Sequence, residues 1–283
     1  DNLGNSSTCQ SNLSIEDSVL PLMGCQNISV DLDQNGSVEV FSSSVVLSAS
    51  DACTLTPVSP ASITFDCTEI GLNQVDFSAT DDAGNTQTCT VEITVEDNLN
   101  PVITCLQNLD VVLDGSGNAS IEPADILDAS ADNCTLGGLS FTLDISSFDC
   151  TDESNNNLSV ELSATDSQNN IGVCSTVINV IDDADPFVLC QDVTLTLDAS
   201  GLASAIVSQF ILQSSDNCTL SFSATLLDFT CADSGTTVNV VAFDGTNISN
   251  CISTVTLEDN IAPSITCQDF DAFITDSNGY VFD

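Results

Sequence analysis

The chain has 283 residues and a formal charge of −42, from 42 acidic side chains and no Lys, Arg or His. Intramolecular salt bridges are thereby excluded, as is neutralisation of nucleic-acid phosphates by basic side chains, and an anionic membrane surface repels such a chain. With 42% hydrophobic residues set in alternation with polar ones, it reads as a folded protein and not a disordered polyanion. Compaction then concentrates like charge, and divalent cations are its natural relief.

Taken in order, "DNLGNSSTC" at 1–9 matches "DDAGNTQTC" at 81–89, so residues 1–17 are expected to be the C-terminal part of a preceding repeat. "IEDSVLPLMGC" at 15–25 recurs as "VEDNLNPVITC" at 95–105, "VIDDADPFVLC" at 180–190 and "LEDNIAPSITC" at 257–267. Pro21, Pro101, Pro186 and Pro263 each follow Asp17, Asp97, Asp182 and Asp259 by four residues, and Cys25, Cys105, Cys190 and Cys267 follow by four more. Cys9, Cys89, Cys174 and Cys251 stand eight residues before those aspartates, whose spacings are 80, 85 and 77 residues. These periods predict repeats at 18–97, 98–182 and 183–259, with 260–283 the N-terminal part of another. The span is read as a window on a longer array; a complete subunit whose half-repeats pair with other copies is the alternative.

Each repeat carries further landmarks. A turn signal comes first, "LDQNG", "LDGSG" or "LDASG", with "TDSNG" near the chain end. "DACTL" at 51–55, "DNCTL" at 132–136 and "DNCTL" at 216–220 give a second cysteine type, and Cys67, Cys150 and Cys231 a third. Then Val75, Phe77 and Ala79 alternate with polar residues, as do Leu158, Val160, Leu162 and Ala164, and Val238, Val240 and Ala242. After a turn rich in Asp, Gly and Asn the alternation resumes at Val91, Ile93 and Val95, at Ile178 and Val180, and at Val255 and Leu257. Such period-two runs across a turn predict hairpins. The fold class expected is all-β: a tandem array of disulfide-linked immunoglobulin-like β-sandwich domains of about 80 residues.

Fourteen cysteines with no His read as a disulfide framework in an oxidising, extracytoplasmic compartment. No Cys-x-x-Cys occurs, and no basic residue is present to lower a thiol pKa. Catalysis is not expected either, because acid–base and nucleophilic mechanisms draw mainly on His, Lys and activated Ser or Cys. No organic cofactor motif occurs.

The proline, the first cysteine and the closing "ATDDAGNTQTCTVEITVED" together resemble the hyalin-repeat (HYR) family of extracellular immunoglobulin-like modules. The four-cysteine form is similar to arrays in large secreted surface proteins of Bacteroidota, including gliding-motility adhesins. Two-cysteine members of the family retain what look like the first and fourth cysteine types. That resemblance implies Cys25 with Cys89, Cys105 with Cys174 and Cys190 with Cys251, and leaves Cys53 with Cys67, Cys134 with Cys150 and Cys218 with Cys231. Cys9 and Cys267 then lack partners within the chain. A rival pairing joins a fourth cysteine to the next first cysteine, as in Cys89 with Cys105.

Acids gather where repeats meet, and calcium prefers clustered carboxylate and amide oxygens. The candidate ligands are Glu16 and Asp17; Glu96, Asp97 and Asn98; Asp182, Asp183 and Asp185; and Glu258, Asp259 and Asn260. Asp81, Asp82, Asp166 and Asp244, in the last hairpins, are placed to reach the same seams. Asn27, Asn118, Asn157 and Asn247 lie in glycosylation triplets. The function expected is a structural repeat segment of a secreted filament or adhesin stalk, stiffened by disulfides and calcium. Its partners would be neighbouring repeats, copies of itself and glycans, with no nucleic acid and no membrane insertion. The alternative is an adhesive module binding a glycan or protein through its domain faces, which the absence of Trp and Arg and the single tyrosine, Tyr280, disfavour.

Overall fold

The computed structural model describes residues 2–134, 137–153 and 158–269; Asn157, Tyr280 and the "TDSNG" turn lie outside them. The alternating runs form the long hairpins expected: Gly71–Thr80 with Thr86–Glu96, Ser159–Thr165 with Ile171–Ile181, and Thr237–Phe243 with Ile248–Glu258. Phe77, Val91, Ile93, Val160, Leu162, Val238, Val240 and Val255 are fully buried. The period of two thus puts one face of each hairpin into a core.

Around each hairpin the repeat builds two small two-stranded sheets and one larger sheet, of three strands in the first repeat and four in the second and third. In the first, Leu22–Cys25 pairs antiparallel with Val46–Ser50, and Ser37–Phe41 with Ser62–Asp66. Ile28–Asp31 runs parallel to Thr86–Glu96. The opening segment therefore switches sheets, and a register shift between Gly24 and Cys25 marks the place. In the third repeat Phe187–Cys190 pairs with Ile211–Ser215 and Val193–Thr196 runs parallel to Ile248–Glu258. The third core packs Leu195, Phe210, Phe229, Val238, Val240 and Val255. This is a tandem array of immunoglobulin-like β-sandwiches, and the only helices described are short turns such as Ser42–Val45 and Pro123–Ile126. None is long and apolar enough to cross a membrane.

Residues 5–17, in the segment 1–17 expected as the C-terminal part of a preceding repeat, carry no strand.

By contact density the chain divides into two compact units, which cut across the second repeat. One comprises Asp1–Val111, Ser120–Ser147 and Asn155–Asn179; the other comprises Val112–Ala119, Phe148–Ser154 and Val180–Asp283. The seam between the first and second repeats lies inside the first unit, and the seam between the second and third lies inside the second.

Three disulfides close individual repeats: Cys25–Cys89, Cys105–Cys174 and Cys190–Cys251. The remaining pairing corrects the expectation. Cys67 is bonded to Cys134 and Cys150 to Cys218, so the links Cys53–Cys67, Cys134–Cys150 and Cys218–Cys231 do not form. Nor does Cys89 join Cys105. The reason is positional: the second and third cysteine types of one repeat belong to different seams. Cys53 sits with Asp17 and Asp51 at the front of the first repeat, whereas Cys67 meets Gly36 and Asn133 at its back. Cys134, only 4% exposed, packs into the core of the first repeat beside Leu32, Val40 and Phe65. Cys9, Cys53, Cys231 and Cys267 are free and exposed.

The turn that receives each link needs glycine. Asp33 Oδ1 accepts from the amides of Asn35 and Ser37, and Asp114 and Asp198 close equivalent turns. That geometry holds Gly36, Gly117 and Gly201 at φ of 69°, 73° and 74°, the left-handed region that favours glycine. A Cβ on Gly117 would stand 2.5 Å from the Asn217 carbonyl oxygen and 2.7 Å from Cys150 Sγ, whereas one on Gly201 would meet Cys231 Sγ at 2.9 Å and nothing else within 4 Å. Backbone strain is equal at the two positions, so their difference isolates the contact between repeats. In denaturant melts of residues 1–283 alone, where nothing covers Gly201, Gly117→Ala should therefore lower stability by about 1–3 kcal/mol more than Gly201→Ala; equal losses there would mean that this close approach contributes nothing.

Candidate metal centre

At the two seams between repeats, three elements converge: the aspartate before the proline, at the junction itself, and from the repeat that follows the aspartate two residues before its second cysteine and the aspartate of its last hairpin turn. Asp97, Asp132 and Asp166 form one cluster and Asp182, Asp216 and Asp244 the next, with a carboxylate oxygen from each residue within 4.8 Å of the others. Local hydrogen bonds fix the first of these aspartates. Asn85, Asn170 and Asn247, in the hairpin turns, donate to the backbone carbonyls of Asp17, Asp97 and Asp182 at 3.1, 2.9 and 3.0 Å. A glycan on Asn247 would remove one of the two hydrogens that its Nδ2 donates to the carbonyls of Asp182 and Ala184, while Asn27 and Asn118 are exposed.

The side chains are buried with oxygens to spare. Asp97 and Asp182 are 4% and 2% exposed. Asp97 Oδ1 accepts from the Leu99 amide and from Asn133 Nδ2, and Asp182 Oδ1 from the Ala184 amide and Asn217 Nδ2. The Oδ2 atom of each is buried with no partner, as are Asn133 Oδ1 and Asn217 Oδ1. The second seam goes further. Asp216 Oδ1, Asp244 Oδ2 and Glu153 Oε1 are also buried and unpartnered, so four carboxylates present a bare oxygen there. Glu153 comes from the preceding repeat, just after Cys150. Asp166 differs from Asp244 because Asn170 Nδ2 also bonds its Oδ2, whereas Asn247 Nδ2 is spent on the carbonyls of Asp182 and Ala184.

Two unit charges about 4 Å apart repel by about 4 kcal/mol at an effective dielectric near 20, while a hydrogen bond to a charged group returns about 1.5–3 kcal/mol. The clusters therefore call for a proton or a cation. Burial raises the pKa of Asp132, with Asp97 and Asp166 adding to the rise against the Cys134 amide. Burial likewise raises Glu153, helped by Asp182 and Asp244. Oxygen donors without His are suited to hard cations such as calcium, magnesium or manganese.

Of the residues expected at the seams, Asp17, Asp97, Asp166, Asp182 and Asp244 enter clusters. Asp81 is buried, with both oxygens bonded by Asn85 as those of Asp166 are by Asn170, but it is not part of the front cluster. Glu16, Asp82, Glu96, Asn98, Asp183, Asp185, Glu258, Asp259 and Asn260 are exposed and belong to none of these clusters; Asn98, for instance, bonds Asp31. Sequence reasoning missed Asp51, Asp132 and Asp216 as members of these clusters, and Glu153 as a buried carboxylate beside one of them. The first three stood in plain view in the repeated Asp-x-Cys. At the front seam Asp17, Asp51 and Cys53 come together, and the hydrogen bond to Asp17 and its charge push the Cys53 thiol up to about 11.

The pH dependence follows in sign. Raised carboxyl pKa values mean the folded chain binds protons more readily than the unfolded one, so acidification through those values stabilises the metal-free protein. Asp33, Asp66, Asp149 and Asp233 are held below 3.8, chiefly by hydrogen bonds from Ser37, Thr68, Thr151 and Thr230. Their contribution is present above 3.8 and is lost as pH falls through the lowered values. In chelator, the melting temperature should climb from pH 7 towards about 4.5, the ordinary value for Glu, and fall below 3.8. A monotonic decline from neutrality would contradict strained clusters.

No family model matches the chain, and none of the curated proteins does. Among solved structures it is similar to the I-band fragment I67–I69 from titin, at 10% identity over 86% of this chain and 100% of that one, with a TM-score of 0.37. Mouse cadherin-23 EC22–24 matches at 14% identity over 85% and 99% of the two chains, with a TM-score of 0.33. Protocadherin gamma B7 extracellular cadherin domains 1–4 match at 13% over 83% and 76%, with a TM-score of 0.31.

Proposed function

We propose that this chain is a structural segment of an extracellular filament or adhesin stalk. In it each repeat is joined to the next by a disulfide and by a calcium ion held in the acid cluster beside that disulfide. The observation that carries this reading is the pairing of the two devices at one place. Asn133 donates both to Asp97 of the cluster and to the Asp33 carbonyl of the preceding repeat, and the next residue, Cys134, holds the covalent link. Asn217 and Cys218 repeat the arrangement with Asp182, Asp114 and Cys150. A cation there neutralises charge at the joint and ties the preceding repeat, through Glu153 at the second seam, to the one that follows. Such a joint suits a load-bearing spacer better than a ligand-binding face. The compartment is the one the disulfides require.

Calorimetric titration of the oxidised, chelator-stripped chain with calcium chloride tests it. Binding with Kd about 10⁻⁴–10⁻³ M is expected for an extracellular module. Absence of heat, together with an unmoved melting temperature at millimolar calcium, would remove the metal from the reading.

A further inference from the structure

The third repeat carries the same receiving surface as the first two, with its cysteine free. In the first, Gly36 O and Cys67 Sγ bracket Asn133 and Cys134, and the Asp33 carbonyl accepts from the Asn133 amide at 3.3 Å. In the second, Gly117, Cys150 and the Asp114 carbonyl hold Asn217 and Cys218, with the corresponding bond at 3.2 Å. In the third, Asp198 closes the same turn, Gly201 has the same positive φ, and Cys231 Sγ lies 3.6 Å from Gly201 O. The turn before the cysteine is alike as well: Asp66, Asp149 and Thr230 each accept at the start of a short turn closed by Glu69, Asp152 and Asp233. Beside it lies a hollow of about 550 Å³ lined by residues including Asp198, Leu202, Asp228 and Thr230. The exposed thiol is thus set in a surface whose two counterparts both hold an Asp-Asn-Cys turn.

We infer that Gly201, Cys231 and the Asp198 carbonyl form a docking site for the Asp-Asn-Cys turn of a further repeat, to whose cysteine Cys231 becomes disulfide-bonded. The occupant is specified by chemistry. Its Asn amide donates to the Asp198 carbonyl, its backbone fills the space that a Cβ on residue 201 would take, and its sulfur bonds Cys231. Cys53 of a second copy is the poorer candidate, because Ala52 stands where Asn133 and Asn217 place the carboxamide. Bond formation removes two protons and two electrons from the thiol pair, and a disulfide oxidant takes them up. The Cys231 thiolate attacks that oxidant and expels one thiolate. The partner thiolate then attacks the sulfur of the mixed disulfide on Cys231 and expels the second. None of this requires calcium, so its failure and that of the metal reading are separable.

The test is disulfide mapping of the native protein, with free thiols alkylated before peptic digestion under non-reducing conditions. The expected result is a Cys231 peptide linked to a peptide whose cysteine follows Asp-Asn. Three results would overturn the inference: an alkylated Cys231, a link from Cys231 to Cys9 or Cys267, or a link to Cys53 of another copy. The same map reports Cys67–Cys134 and Cys150–Cys218, so a damaged sample is recognised by the loss of those links.

Discussion

Asp182→Asn should change the sign of its effect with calcium. In chelator the variant is expected to melt higher than the parent, because it removes one of four carboxylates whose bare oxygens share a buried site, with Asp216, Asp244 and Glu153. Asn also keeps an acceptor for the Ala184 amide and the Asn217 side chain, which bond Asp182 Oδ1 in the parent. At about 10 mM calcium, a site with Kd of about 10⁻⁴–10⁻³ M adds about 1.4–2.7 kcal/mol to the parent. The variant forgoes much of this at the second seam, so its advantage should reverse. Thermal melts of both proteins, with chelator and with calcium, read the crossing directly. If the variant were less stable under both conditions, Asp182 would be a structural hydrogen-bond acceptor and the cluster no metal site. Glu153→Gln should show the same crossing with smaller amplitude, since Glu153 is less buried than Asp182.

The second large effect concerns the link between repeats. Removing the Cys67–Cys134 bond by replacing both residues with Ala should cost about 4 kcal/mol in the loop-entropy account for a closed loop of 67 residues. The Cys25→Ala, Cys89→Ala pair, with a separation of 64, should cost about as much. The two variants should differ in cooperativity. Cys134 sits in the core of the first repeat with Val45, Phe65 and Phe77, so losing its bond uncouples the first two repeats. Their common unfolding transition should separate into two in calorimetry. The Cys25→Ala, Cys89→Ala variant weakens one repeat and leaves the coupling across the seam. If the transition of the Cys67→Ala, Cys134→Ala variant stayed single and merely shifted, packing and not the disulfide would join the repeats.

The sequence by itself determined what is local or periodic. Alternation at Val91, Ile93 and Val95 places those side chains on one face of a strand, so burial of that face follows from pleat geometry. The Asp-x-x-Gly turns were legible because aspartate bonds amides two and four residues on, whatever surrounds it. The sixteen-residue interval from one fourth cysteine to the next first cysteine located every seam.

Connectivity across a seam was decided only by the tertiary structure. Cys53 and Cys67 are 14 residues apart while Cys67 and Cys134 are 67 apart, and nothing in spacing says that the shorter loop must lose. What decides is that the sandwich sends the second and third cysteine types of one repeat to different seams. Likewise Glu96 and Asp97 are adjacent acids of equal appearance in the sequence. Glu96, the last residue of its strand, faces solvent, whereas the chain just beyond the strand carries Asp97 into the seam at 4% exposure. Burial strips that carboxylate of water and leaves one oxygen without a partner, so the fold selects which of the seam acids become candidate ligands.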